Sequence, residues 1–310
     1  MPLGFPETPG RLRVLLDHLE ANAGPWTVDR SWDPASEDDT LGVVRWLHEE
    51  EYVRRFRTAV AAAPGQLDGP DTPVSQGTFR AAATAAGVAV RASMELVNGR
   101  LDRAFLAIRP PGHHALPHRA MGFCFFNNAA LAAEIVARAW QVPVLIVDFD
   151  VHHGNGTQAI FWERADVGYL SIHRHPFYPG TGTADETGSG RGAGTTRNIP
   201  LAEGAGDDLF ASAVEAGLEE LGGRLRPAVI VVSAGFDAHM DDPVGGLGVS
   251  EEGFRRIGQT LTQAAEAWAG GRILALLEGG YHPGATARSA TAWIEGLAGA
   301  TGTGRTDSIH

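Results

Sequence analysis

The sequence predicts an α/β protein whose central sheet is mostly parallel and flanked by helices, with a functional site at the carboxyl ends of its strands. Segments with helical periodicity alternate with short apolar runs along the chain, and this order is typical of a parallel sheet. The apolar runs carry no polar alternation, as expected for strands that are covered on both faces. No repeat, low-complexity block or linker divides the chain, so we predict a single domain over residues 1–310.

These two patterns assign the elements in chain order. Stretches of several turns with helical periodicity predict helices at Leu12–Ala23, Glu49–Ala63, Gln76–Asn98, Asn127–Trp140, Asp207–Gly222, Glu251–Ala269 and Ala285–Ala298. Short apolar runs between them predict buried strands at Ala104–Ile108, Val142–Val147, Val167–Ile172, Ala228–Val232 and Arg272–Leu277. The runs are too short for helices of ordinary length, which is why we assign them to the sheet.

Composition excludes several classes of function. The formal net charge is −12, which argues against the phosphate-driven binding of nucleic acid that clustered Lys and Arg support. Cys124 is the single cysteine, so no disulfide can form within the chain. The first residues lack the apolar segment of a signal peptide, and no apolar stretch is long enough to cross a membrane. We therefore expect a cytoplasmic protein without a membrane or nucleic-acid partner.

Polar and titratable residues follow four of the predicted strands, at the point where each strand ends. They are Arg109–His114, Asp148–His153, Ser233–His239 and Glu278–Tyr281. In open parallel sheets, ligands bind beyond the carboxyl ends of the strands. The four segments are therefore expected to meet at one edge of the sheet and to form the site.

The segment that begins at Asp148 predicts a metal site. If it is extended, alternate side chains point the same way, so Asp148, Asp150 and His152 face together. Asp237, from another strand end, supplies a third ligand and leaves an open position, as in a catalytic metal site. Zn²⁺ is favoured, although two carboxylates and one imidazole also suit Fe²⁺, Co²⁺ or Mn²⁺. The alternative interpretation is a solvated acidic loop.

Two adjacent histidines, His113 and His114, are candidates for acid–base chemistry near neutral pH. Asp148 could orient and charge one imidazole, and Asn155 could hydrogen-bond the other without charging it. Unequal partners give the two rings different pKa values, which is how acid and base roles separate. Which of the two is the base stays open, because coupled titrations resist assignment to one residue. Adjacent histidines also occur in loops without a function.

Tyr281 and two aromatic loops complete the candidates. A phenol at a strand end could donate a hydrogen bond to an oxyanion, although a tyrosine that packs a turn is the simpler interpretation. The aromatic loops Gly122–Asn128 and Phe177–Gly182 are either core packing or the wall of a narrow apolar passage for the aliphatic stem of a lysine.

Together these motifs resemble the zinc-dependent histone deacetylases. The similarity is greater to the class II branch and its bacterial relatives, the histone-deacetylase-like amidohydrolases and acetylpolyamine amidohydrolases. The motifs are Arg109–Ala115, Gly122–Asn128, Val147–Gln158, Ser233–Asp237 and Leu277–Tyr281. The resemblance runs from about Glu7 to Ala298 and implies a single arginase-like domain with a deep substrate tunnel. Family members usually begin with a strand before a His-Pro-Glu segment, whereas Phe5 stands at that histidine position here.

The resemblance also implies roles for individual residues. The implied zinc ligands are Asp150, His152 and Asp237, and the implied catalytic residues are His113, His114, Tyr281, Asp148 and Asn155. Substrate contacts are implied at Asp71, Gly122, Phe123, Tyr178, Val244 and Gly280. A structural K⁺ site is implied at Asp148, Asp150, His152, Ser171 and Ile172.

We therefore predict a metal-dependent amidohydrolase that uses activated water to remove acetyl or short acyl groups from lysine side chains of proteins or peptides. The alternative within the same class is a deacetylase of acetylpolyamines or other small acetylated amines. Relatives with that preference can carry an acidic residue where this chain has the neutral Val244. The alternative from another class is a catalytically silent module that binds acyl ligands. A homo-oligomer is a further expectation, because loops around such tunnels often contact a second subunit.

Overall fold

The computed structural model describes residues 5–22, 24, 26–299 and 307–309. The helices are α1 Gly10–Ala21, α2 Glu37–Val44, α3 Glu50–Ala61, α4 Thr78–Val97, α5 Asn128–Trp140, α6 Asn155–Phe161, α7 Asp207–Gly217, α8 Gly223–Leu225, α9 Glu251–Trp268 and α10 Pro283–Gly299. The strands are β1 Trp26–Val28, β2 Gly65–Gln66, β3 Pro73–Val74, β4 Arg103–Leu106, β5 Val144–Asp148, β6 Val167–Arg174, β7 Thr196–Leu201, β8 Val229–Ala234, β9 Ile273–Leu277 and β10 Asp307–Ile309.

One sheet runs through the structure in the strand order β1-β10-β4-β9-β8-β5-β6-β7. Every neighbouring pair in it is parallel, and β2 and β3 form a small separate antiparallel pair. The predicted α/β class with a mostly parallel sheet is therefore confirmed. That residues 1–310 form a single domain stays a prediction.

The central strands bury both faces, as their uninterrupted apolar sequences predict. In β5, Leu145 and Val147 belong to one hydrophobic cluster, whereas Val144 and Ile146 belong to the cluster on the opposite face. The first cluster also contains apolar residues of α1, α7, α9 and α10, and the second contains those of α4 and α5. Helices on both faces thus hold the sheet in place, and its edge at the strand ends stays free for loops.

The predicted helices are found with small shifts at their ends, except for one. The helix predicted over Asp207–Gly222 ends at Gly217 and continues as a π-helical turn over Leu218–Gly222. The end predicted at Ala23 lies outside the described residues. The elements that were not predicted are helices α2, α6 and α8 and strands β1, β2, β3, β7 and β10. Among the described residues, no helix combines the length and apolarity that a membrane crossing requires.

Candidate active site

The site lies where four neighbouring strands end. Strands β4, β9, β8 and β5 are adjacent in the sheet, and each is followed by one of the four polar segments that the sequence singles out. Parallel strands present their carboxyl ends at the same edge. The sheet order therefore brings together residues that lie far apart in the sequence.

Three side chains form a candidate metal centre at this edge. The ligand atoms of Asp150, His152 and Asp237 all lie within 4.8 Å of one another, and the three residues are buried. His152 Nδ1 is 3.0 Å from Asp150 Oδ1 and 3.2 Å from Asp237 Oδ2. Within the described part of the chain, Asp237 Oδ2 makes no hydrogen bond of good geometry. A buried carboxylate oxygen without a partner, beside a second carboxylate and an imidazole, fits a divalent cation.

The electrostatics of these three groups lead to the same conclusion. Burial, followed by the Asp150 charge, raises the pKa of Asp237 to about 7. For His152, burial lowers the pKa, but the nearby carboxylates of Asp150 and Asp237 outweigh this and raise it to about 9. Two ionised carboxylates this close and this deeply buried therefore disfavour each other unless positive charge lies between them. A divalent ion satisfies this requirement with His152 neutral and both carboxylates ionised.

The local fold that gathers these ligands differs from the predicted extended segment. Strand β5 ends at Asp148, and the backbone bends over residues 150–152. Asp148 Oδ1 accepts a hydrogen bond from Asp150 N at 3.2 Å, and Asp150 Oδ1 accepts one from His152 N at 2.9 Å. Two successive turns of this kind, stabilised by Asp side chains, replace the alternation of a strand. The prediction that this segment is extended was therefore wrong, because side-chain hydrogen bonds to the backbone bend it.

Two glycines give the carboxylates their space, and sequence reasoning missed both. A Cβ at Gly235 would lie 2.1 Å from Asp150 Oδ2, and a Cβ at Gly279 would lie 2.1 Å from Asp237 Oδ2. Gly279 also donates its backbone N–H to Asp150 Oδ2 at 2.8 Å. Any side chain at either position would collide with a candidate ligand. In the sequence, the only indication of this close packing is that glycines stand shortly after the predicted strands.

The two histidines stand beside the metal centre with unequal partners, as the sequence predicts. Their ring centroids are 4.0 Å apart. His113 Nδ1 is 3.0 Å from Asp148 Oδ2, and His114 Nδ1 is 2.8 Å from Asn155 Oδ1. Burial lowers the pKa of His113, but the charges of nearby carboxylates, Asp148 first, outweigh it and raise the pKa well above its usual range. Burial and the neighbouring positive imidazoles hold the pKa of His114 well below its usual range.

Glu278 accepts hydrogen bonds from the loop that carries the two histidines. The sequence did not predict this contact. Its Oε2 accepts hydrogen bonds from Gly112 N at 2.6 Å and His113 N at 3.1 Å, and its Oε1 accepts one from Ser233 Oγ at 3.1 Å. Burial raises the pKa of Glu278 to about 7. Glu278 also lies near Cys124 and His113, but both of its oxygens already have donors. We therefore do not interpret this group as a second metal site.

Tyr281 follows β9, half-buried, at the edge of the pocket. Its ring centroid is 6.0 Å from that of Phe123, and the Arg11 guanidinium lies 4.9 Å from its centroid on the ring face. Burial raises the pKa of Tyr281 well above its usual range, so the phenol keeps its proton and can donate it in a hydrogen bond. Arg11 is itself buried, 3.2 Å from the fully buried Glu7. Sequence reasoning missed this ion pair.

A pocket with a volume of about 240 Å³ leads to these groups. Its lining consists of Pro6, Asp71, His114, Gly122, Phe123, His152, Phe177, Tyr178, Val244 and Tyr281. Five of the six predicted substrate residues are therefore in the lining. The sixth, Gly280, is not among them, and its carbonyl instead accepts a hydrogen bond from Arg11 Nε at 2.5 Å. Substrate contact at Gly280 stays a prediction.

At the outer end of the pocket, one carboxylate joins two loops. Asp71 Oδ2 accepts hydrogen bonds from Tyr178 Oη at 2.7 Å and Gly122 N at 2.9 Å. The Tyr178 ring lies edge-on to His114 with 5.1 Å between centroids. Tyr178 thus spans the distance between the histidines and the rim.

The predicted K⁺ residues lie side by side on two strands. Asp148 on β5 is in register with Ser171 on β6, and both are fully buried together with Ile172. Ser171 Oγ is 2.9 Å from His173 Nδ1. The backbone oxygens of Asp150 and His152 were included in the same prediction. Occupancy by potassium stays a prediction.

Several known proteins are similar to this chain in sequence and in fold. Residues 5–297 match the family described as Histone deacetylase domain. The sequence is 40% identical over 296 residues to a histone deacetylase-like amidohydrolase of Pseudomonas aeruginosa, covering 95% of this chain and 76% of that protein. The structure resembles the crystal structure of the HDA15 HD domain, with a TM-score of 0.87, 37% identity and coverage of 96% and 86% of the two chains. It also resembles an acetylpolyamine aminohydrolase from Burkholderia pseudomallei, with a TM-score of 0.83, 31% identity and coverage of 96% and 92%.

Proposed function

This chain belongs to the histone deacetylase family, and from that premise we propose that it removes acetyl or short acyl groups from lysine side chains of proteins or peptides, with zinc held by Asp150, His152 and Asp237. The class of reaction, hydrolysis of an acylated amine, follows from the family and from the amidohydrolase and deacetylase names of its relatives. The observation that carries the proposal is that the ligand atoms of Asp150, His152 and Asp237 lie buried within 4.8 Å of one another beside the pocket, and that Asp237 Oδ2 makes no hydrogen bond of good geometry to any described residue.

A divalent ion at this centre supplies a Lewis acid for the acyl carbonyl and makes water a nucleophile near neutral pH. The chain's own residues supply the proton transfers and the orientation. His114 Nδ1 faces the oxygen of Asn155 at 2.8 Å, so Nδ1 must carry the proton of that hydrogen bond. Its Nε2 is then unprotonated, and the low pKa of His114 keeps the ring neutral. We assign His114 the role of general base at Nε2.

His113 has the complementary role. Its Nδ1 donates to the buried Asp148, and the surrounding carboxylates favour its charged form. A charged imidazole can give a proton to the nitrogen of the leaving amine. Tyr281 stays protonated because its pKa is raised. Its hydroxyl donates a hydrogen bond to the acyl oxygen as negative charge develops there.

The shape of the pocket favours a lysine side chain. Phe123 and Tyr178 line it, and such walls suit an aliphatic stem with a polar group at its end. Val244 contributes no charge to the lining. A small acetylated polyamine carries further ammonium groups, which an acidic residue at that position would attract. Acetylpolyamine hydrolysis is the second candidate, supported by the resemblance to the aminohydrolase from Burkholderia pseudomallei.

The remaining predictions belong to the same proposal. We propose a structural K⁺ at the Asp148 and Ser171 pair, and an assembly of several copies of the chain around the pocket rims. We expect no direct nucleic-acid partner, since the net charge is −12. A silent acyl-binding module is disfavoured because a binder needs neither a general base nor an oxyanion donor.

The test is a comparison of steady-state kinetics on an acetyl-lysine peptide and on acetylputrescine. We expect a higher kcat/KM for the peptide. A higher kcat/KM for acetylputrescine would contradict the lysine proposal and support acetylpolyamine hydrolysis instead. Binding of both compounds without turnover would support the silent module instead.

A further inference from the structure

Asp242 is a buried carboxylate that joins two loops of the pocket. It lies in the loop after the ligand Asp237 and is 8% exposed. Its Oδ2 accepts hydrogen bonds from the backbone N–H groups of Tyr281 at 2.6 Å and His282 at 3.2 Å. Its Oδ1 accepts hydrogen bonds from Val244 N at 2.9 Å and Gly245 N at 3.3 Å. One side chain thus fixes the backbone of the phenol donor and of a residue that lines the pocket.

The neighbouring aspartate shows that this arrangement is particular to Asp242. Asp241 is 55% exposed and lies 3.3 Å from Arg288 in a surface ion pair. Pairs of that kind contribute little to stability. Asp242 instead meets four N–H donors inside the protein, and charge-assisted bonds of this type are about twice as strong as neutral ones. Two adjacent residues with the same charge therefore have different functions.

The Tyr281 segment is held from the opposite side as well. Arg11 donates to the carbonyl of Gly280 at 2.5 Å and to that of Glu278 at 2.7 Å. The Asp242 carboxylate therefore accepts hydrogen bonds from the N–H groups of this segment, while the Arg11 guanidinium donates to the carbonyls that precede Tyr281. With both attached, the phenol has little freedom to move away from the pocket.

We infer that Asp242 is a positioning residue for the reaction, acting through Tyr281, and this inference rests on the proposed function. Asp242 is not itself one of the residues that line the pocket, and none of the four hydrogen bonds above goes to a candidate metal ligand. Its role is to hold the phenol at the distance at which it can donate to the acyl oxygen. A misplacement of about 1 Å in such a group can lower the rate by about 10².

The experiment compares Asp242→Ala and Asp242→Asn with the control Asp241→Asn, all in zinc-loaded protein. We expect Asp242→Ala to lower kcat by roughly 10- to 10²-fold, because the phenol is no longer held where it can donate to the acyl oxygen in the transition state. Asp242→Asn keeps one acceptor oxygen and should lose less. Asp241→Asn should match the wild type. A loss in Asp242→Ala no larger than in Asp241→Asn would overturn the inference.

A double variant separates positioning from a general structural effect. If Asp242 acts through the phenol, Asp242→Ala combined with Tyr281→Phe should be no slower than Tyr281→Phe alone, within about twofold. Losses that multiply would overturn the inference. Zinc content and thermal unfolding, measured on each variant, show whether the fold and the metal site are intact.

A further measurement is independent of turnover and of the proposed function. Hydrogen exchange of the backbone segment that contains Tyr281 and His282 should be slow in the wild type and in Asp241→Asn, and faster in Asp242→Ala, which removes the acceptor of both N–H groups. Unchanged exchange would contradict the positioning role even if no substrate is hydrolysed. An active wild type with an impaired Tyr281→Phe but an unimpaired Asp242→Ala would refute this inference and leave the proposed function standing.

Discussion

The floor of the pocket and its mouth are built in different ways. The floor consists of Asp150, His152 and Asp237, which are at most 7% exposed and lie directly beyond β5 and β8. Backbone N–H groups donate to both carboxylates there. The mouth includes Tyr178, which is 37% exposed, and Val244, which is carried by a loop. From this difference we expect changes at the floor to affect the chemistry and changes at the mouth to affect the choice of substrate.

The largest effect is expected at the floor. Asp237→Ala removes a ligand and leaves Asp150 and His152 with too few donors for a tight site. Metal binding and activity should be lost together, with activity at background. Zinc content and turnover are measured on the same preparation, with Asp208→Asn, a change at a residue that is 92% exposed, as the control. A variant that still binds zinc and turns over would place the metal elsewhere.

The next effect concerns the phenol between floor and mouth. Tyr281→Phe keeps the ring packed against Phe123 and Arg11 but removes the hydroxyl. We expect kcat to fall by about 10²–10³, the usual consequence of losing one oxyanion donor. Steady-state kinetics on an acetyl-lysine peptide measure it. Retention of most of the wild-type kcat would refute the role of the hydroxyl.

A change at the mouth should alter selectivity and leave the chemistry intact. Val244→Glu introduces a negative charge in the pocket lining, which attracts the extra ammonium groups of a polyamine. We expect the ratio of kcat/KM for acetylputrescine to that for the peptide to rise by about fivefold, since a charge pair near a protein surface is worth up to about 1 kcal/mol. Val244→Gln is the uncharged control. Equal ratios in the two variants would show that charge at this position does not select the substrate.

The smallest effect on activity is expected at His48, a buried residue that does not line the pocket. Its Nδ1 is 3.0 Å from the carbonyl of Leu116, and its Nε2 accepts from Asn127 N at 3.0 Å. Burial lowers the pKa of His48 from 6.5 to about 4. Between these values the unfolded chain binds more protons, so the free energy of unfolding falls as the pH drops from 6.5 to 4, by about 3 kcal/mol in all.

Urea titrations of the metal-free protein across this pH range measure the effect. His48→Gln should flatten the pH dependence, whereas a change at the exposed His118, His118→Gln, should not. Both variants should keep the kcat of the wild type at neutral pH after zinc is restored. Identical pH dependence in wild type and His48→Gln would contradict the assignment.

The residues of the floor could be predicted from the sequence because they follow short apolar runs, which are typical of buried strands. Asp150, His152 and Asp237 were identified in this way, and the parallel order of the strands brings them together. The bend after Asp148 could not be predicted, because it depends on side-chain hydrogen bonds to nearby backbone. An alternating pattern of three polar residues is equally compatible with a strand and with successive turns.

The supports of the site were beyond sequence reasoning because they are long-range contacts. Arg11 and Gly280 are separated by 269 positions, and His113 and Glu278 by 165. No local pattern marks such a pair. Strand β7 was missed because it lies at the sheet edge, half-exposed and with Pro200 inside it, so it lacks the apolar signature of the central strands.

The most direct test of the central claim is turnover of an acetyl-lysine peptide by protein stripped of metal and then reconstituted with zinc. We predict that the stripped protein is inactive and that one equivalent of zinc per chain restores turnover in the wild type but not in Asp237→Ala. Full activity in the stripped protein, or equal restoration in the variant, would contradict a reaction built on Asp150, His152 and Asp237.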